Sequence, residues 1–218
     1  MHIRYIMSEN EIEENTKELI VDTLDTAIAP FTLGIPIMSL VDNFIKIGKN
    51  FYDKRTLAKL LAFLEDAGYT KANDKDKDKI DKFFEKRISN DKYAQTNGEL
   101  ILDYLCKSED IRKTALIGRV FSLLIKDDTI DSDSSVKDKF FRTAYYINNS
   151  YYDDLFALKL FANSHELLSS QDNRLDKLNS YGFLNDNGID AGGASDEEPG
   201  GKIYSINEYG NIVLAALE

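Results

Sequence analysis

Residues Thr26 to Val41, TAIAPFTLGIPIMSLV, carry no charge in a chain where 30% of residues are charged. A run like this must be hidden from water, in a core or in a bilayer, because exposed apolar surface costs roughly 25 cal/mol per Å². A membrane-spanning helix needs about twenty consecutive apolar residues. This run is shorter, holds Pro30, Gly34 and Pro36, and is followed by Asp42. The expectation is a buried, proline-bent hairpin at residues 26–41. The same segment, 27–41, is what a membrane-acting protein with this sequence would insert.

Around that hairpin the pattern is helical. Ile12, Leu19, Ile20 and Leu24 lie near a 3.6-residue period, which predicts a helix from about Asn10 to Ala27. The apolar set that starts at Ile37 runs through Leu40, Val41, Phe44 and Ile45, then resumes at Leu57, Leu60, Leu61 and Leu64, with Gly68 as terminator. The charged stretch NDKDKDKIDKFFEKRISN still lines up Ile80, Phe83, Phe84 and Ile88 on one face. A helix is expected over Glu99 to Lys107, and Ser108 is expected to cap the next one. That next helix carries Ile111, Ala115, Val120, Phe121, Leu124 and Ile125, and Gly118 inside it marks a close helix crossing. A polar loop, Lys126 to Ser135, precedes helices expected over 136–148 and 151–163.

The C-terminal part changes character. RLDKLNSY reads as a short helix ended by Gly182, and Phe183-Leu184 begins an extended run. The next seventeen residues, NDNGIDAGGASDEEPGG, are rich in Gly and acid and show no apolar period, so they read as a loop, disordered or a floppy hairpin tip. IYSI is the return strand, and Asn207 can cap a last helix. The order helix, strand, tip, strand, helix is that of a winged-helix unit. The fold class is therefore mainly α: a multi-helix body over 1–149 with the apolar hairpin at 26–41, then a small winged-helix-like α/β unit over 150–218 with a long acidic wing at 185–201.

Charge and cysteine usage narrow the function classes. The 218-residue chain has a net charge of -11. Such a surface repels phosphate backbones and anionic lipid heads, which disfavours broad nucleic-acid binding and points to a protein partner, another copy of the chain included. Cys106 is the only cysteine, so no intrachain disulfide can form; set among Leu102 and Leu105, it reads as a small buried hydrophobe. The first fourteen residues hold no apolar core of signal-peptide length, and a cytoplasmic location is expected.

Motifs for chemistry are sparse. An EF-hand starting at Asp74 would place Asp76 and Asp78 at positions 3 and 5 and Glu85 at 12, but Lys79 takes the position that needs Gly. His2 and His165 are the only histidines, and neither has a nucleophile beside it. No Gly-x-Ser-x-Gly elbow and no phosphate-binding glycine loop occurs. The reading is a non-enzymatic protein with no cofactor and no metal. Tyr145-Tyr146 and Tyr151-Tyr152 could stack a ligand, but that spacing also suits core and rim.

LDKLNSYGFL and KIYSINEYGNIVLAAL resemble the C-terminal part of winged-helix-like modules through Leu175, Leu178, Gly182, Phe183, Leu184, Tyr204, Ile206 and Gly210. Together with IAPFTLGIPIMSLV and RTLAKLLAFLEDAG, the chain resembles bacterial helical proteins of the abortive-infection alpha type. That resemblance implies a link to antiviral defence and supplies no catalytic residue. The function expected first is protein interaction through the winged unit or the apolar hairpin, with Arg174, Lys177, Phe183 and Tyr204 as candidate partner-binding residues. The alternatives are a membrane-acting effector using residues 27–41 and a DNA-binding regulator using Arg174 and Lys177 on the helix before the wing.

Overall fold

A computed structural model describes residues 54–89, 91–92, 94–125, 134–169, 171–192 and 200–218. The expected N-terminal helix, the hairpin at 26–41, residues 126–133 of the polar loop and residues 193–199 of the acidic wing lie outside the described residues. Residues 58–218 form one compact unit.

The helical part starts with α1 (Lys54–Asp66), which stops where Gly68 takes a left-handed φ of 78°. A short 3-10 turn, Tyr69–Lys71, leads to α2 (Asp74–Glu85). Asn73 caps α2, its side-chain oxygen accepting from the Asp76 amide at 2.9 Å. The alternating Asp and Lys residues thus form the solvated side of a helix, not a cation loop, while Ile80, Phe83 and Phe84 on the other side are buried.

Helix α3 (Asn97–Lys107) begins two residues earlier than the sequence pattern suggests. Thr96 and Glu99 build a reciprocal capping box, which satisfies two amide donors that the first turn otherwise leaves open. Helix α4 (Ile111–Ile125) follows. Ser108 does not cap it: its hydroxyl donates to the Asp110 carbonyl, and the Asp110 carboxylate accepts from the Arg112 amide at 2.8 Å. Asp110 wins because its side chain sits within reach of the first turn's free amides. Gly118 marks the crossing of α4 over α1. A Cβ there would stand 2.3 Å from the Phe63 carbonyl oxygen.

Helix α5 (Ser134–Asn149) and the short α6 (Tyr152–Leu155) come next. The helix expected over 151–163 is mostly absent as an α-helix. From Phe156 to Ala162 the chain tightens into a 3-10 segment. Five phenylalanines meet in the core. Phe121 of α4 meets Phe63 of α1, Phe83 and Phe84 of α2 and Phe140 of α5, with ring centroids 5.3 to 5.7 Å apart. Lysines tie helix ends together around this cluster. The Lys59, Lys79 and Lys113 amines donate to the carbonyls of Cys106, Ile125 and Asn148, at or next to the C-termini of α3, α4 and α5. A cation there also meets the negative end of each helix dipole. Cys106 itself is exposed, against the sequence reading, because it lies off the Ile101, Leu102, Leu105 stripe that α3 buries.

The winged unit adds a strand that the sequence pattern did not show, β1 (Glu166–Leu168). Then come α7 (Arg174–Tyr181), β2 (Leu184–Asp190), β3 (Gly201–Ile206) and α8 (Glu208–Leu217). The sheet is antiparallel in the order β1-β3-β2. Gly182 ends α7 at φ 96°, with the Tyr146 ring packed where a Cβ would point. β2 continues to Asp190, opposite Gly201, so the hairpin's paired strands reach well into the stretch that reads as loop. Asn207 caps α8, accepting from the Tyr209 and Gly210 amides. α8 packs on α4, α5 and the 3-10 segment, which draws the winged unit and the helical body into a common core.

Candidate interaction surface

Three of the four partner-binding residues expected from sequence serve the fold. Phe183 and Tyr204 are fully buried and offer no surface to a partner. Phe183 stands edge-on to Tyr146, with ring centroids 5.9 Å apart. The Tyr204 hydroxyl donates to Asp176 at 2.6 Å; burial first, then that carboxylate, raises its pKa. Arg174 grips Asp172 in a fork, Nε to Oδ1 at 3.0 Å and Nη2 to Oδ2 at 2.6 Å, which holds the Asp172 carboxyl below its ordinary pKa. Lys177 remains half-exposed, 3.4 Å from Asp154. The two cations of α7 thus face acids of this same chain, and the wing beyond them carries Asp186 and Asp190. This is a poor surface for DNA.

A different region stands out. Along α6 and the 3-10 segment, Tyr152 and Phe156 meet edge to face at 5.4 Å. The Arg112 guanidinium lies over the Tyr152 ring at 4.4 Å, and the Lys159 amine lies over Phe156 at 5.5 Å. Asp110 holds Arg112 in a second fork, and Asp153 adds a contact at 3.2 Å. Tyr151 is 71% exposed, Leu160 43% and Phe156 39%; Ile111, next to Arg112, is exposed too. We refer to this row as the aromatic ridge.

The ridge has a local cause. The segment FALKLFA contains one charged residue, so whichever side faces out must show apolar groups. Ala157, Leu158 and Phe161 go inward. In a 3-10 turn side chains three apart eclipse, so Phe156 and Lys159 come out on one row. Sequence reasoning singled out Tyr151-Tyr152 as one of two aromatic pairs. It missed Phe156 and Leu160, because on an α-helix they would read as a core stripe.

A cleft of about 270 Å³ opens beside Gly68, Lys71, Lys79 and Ser122, where the Lys79 amine donates to the Ile125 carbonyl at 2.8 Å. Among the described residues, no group of His, Cys, Asp and Glu is arranged to hold a metal ion. Nor is any described helix long and apolar enough to cross a membrane. No protein-family model, no curated protein and no solved structure matches the chain.

Proposed function

We propose that this is a non-enzymatic protein-interaction protein whose aromatic ridge docks a second copy of the chain. The observation that carries this is the exposure of Tyr151, Phe156 and Leu160 on one short stretch of chain, with Tyr152 and Phe156 in ring contact and each under a cation. Contiguous exposed apolar patches with a polar rim mark contact sites, and aromatic residues and Arg are enriched at such sites. The rim carries both signs, Arg112 and Lys159 against Asp110 and Asp153. A twofold interface, in which one patch meets itself, needs that mixture. A role in antiviral defence rests on the sequence resemblance, and phage challenge of cells with and without the gene tests it.

Cross-linking tests the docking reading. An amine-reactive linker applied to a mixture of isotopically light and heavy protein is expected to give light-to-heavy links at Lys159. Phe156→Asp with Leu160→Asp should abolish them while the helical signal stays unchanged. Links confined to lysines away from the ridge would refute the reading.

A further inference from the structure

The winged unit carries a second feature, separate from the ridge. β2 is one of the sheet's two edge strands, and among the described residues only β3 pairs with it. Its residues from Asn185 to Asp190 are all exposed. Ile189, a residue with strong strand preference, is 79% exposed. Gly188, at φ 108°, has open space on the side where a Cβ would point. An unpaired edge presents a row of backbone donors and acceptors to any strand that approaches.

Two details select the visitor. The pairing steps from Asp186 opposite Tyr204 to Ile189 opposite Lys202, so β2 carries one extra residue there, a bulge. Bulges and charges are how sheet edges refuse indiscriminate pairing. The charge is all of one sign: residues 185–201 include Asp186, Asp190, Asp196, Glu197 and Glu198 and no Lys or Arg. Like charges set opposite each other destabilise a strand pair, and unlike charges stabilise it. A second copy of β2 would set carboxylates against carboxylates. The extra residue leaves Asp186 and Asp190 on opposite faces of the sheet, so a strand bearing Lys or Arg on both of its faces would set a cation against each.

We propose that the outer edge of β2 binds an extended basic segment of a partner protein by strand addition. Main-chain hydrogen bonds along Asn185 to Asp190 would hold it, Asp186 and Asp190 would select its charge, and Ile189 would supply an apolar contact.

The test is a titration of the full isotopically labelled chain with a peptide of about eight residues that carries Lys on both faces among Val, and with its Glu-for-Lys counterpart. The Lys peptide is expected to shift the amides of residues 185–190 and slow their hydrogen exchange; the Glu peptide should not. Asp186→Lys with Asp190→Lys should weaken the Lys peptide about tenfold and admit the Glu peptide. Ile189→Ser, at a site that touches little, should weaken binding with no change in melting. Binding should also fall as ionic strength rises from about 0.05 M to about 0.3 M. Equal binding of both peptides, shifts confined to residues outside 185–190, or no binding at all would overturn the proposal. None of those outcomes depends on Tyr151, Phe156 or Leu160, so the ridge is tested separately.

Discussion

Two aromatic clusters in this molecule are built from similar side chains and end up in opposite places. Around Phe121, rings from α1, α2, α4 and α5 close on one another and exclude water. Farther along the chain Tyr151 and Phe156 lie exposed, and Tyr152 and Phe156 are partnered by cations and by each other. The difference does not come from hydrophobicity. The core rings sit at positions that α-helical spacing turns toward neighbouring helices. The ridge residues follow a 3-10 segment whose inner side is already filled by Ala157, Leu158 and Phe161. The lesson is that a ring with nothing left to pack against becomes surface.

Mutations at the two clusters should therefore diverge. Phe121→Ala removes the hub of the core and is expected to cost about 3–5 kcal/mol, read from urea unfolding. Gly118→Ala forces a methyl against the Phe63 carbonyl and should cost about 1–3 kcal/mol by the same measurement. Tyr204→Phe keeps the ring and loses the bond to Asp176, for about 1 kcal/mol. At the ridge, Phe156→Ser should cost under about 1 kcal/mol. If it costs as much as Phe121→Ala, the ridge is core and the comparison collapses.

Acid sharpens the same contrast. Arg174 lowers the Asp172 carboxyl and Arg112 lowers the Asp110 carboxyl. An acid whose folded pKa lies below its unfolded value of about 3.9 adds stability above that value, and the gain disappears as pH falls through the folded pKa. Burial raises Asp66 and Asp81, which act in the opposite sense. Unfolding midpoints measured from about pH 6 to about pH 2 should thus fall less steeply for Asp172→Asn than for the unmodified chain. An identical slope would mean that the fork with Arg174 is not held in solution.

Much of the helical part was legible in the sequence because burial there follows a 3.6-residue period, as with Ile80, Phe83 and Phe84. Local chemistry marked some ends as well: Gly68, Gly182 and Asn207 do what their residue types suggest. Other features depend on distant pairing. β1 is three residues long, Glu166–Leu168, and exists because β3 offers it an edge. β2 runs through Asn185, Asp186 and Asn187, which show no alternation of their own, and is held by the register with β3. For the site, the pattern could name Tyr151 and Tyr152 but not the side that faces out. That is decided by α8, which covers the 3-10 segment from within. The same blindness made Phe183 and Tyr204 look available, when both are fully buried.

Sedimentation equilibrium tests the central claim most directly. The chain is expected to pass from monomer to dimer as concentration rises from about 1 µM to about 1 mM. Phe156→Asp with Leu160→Asp should hold it monomeric throughout that range, at unchanged melting temperature. A wild-type chain that stays monomeric across the range, or a variant that dimerises as tightly, would contradict the account.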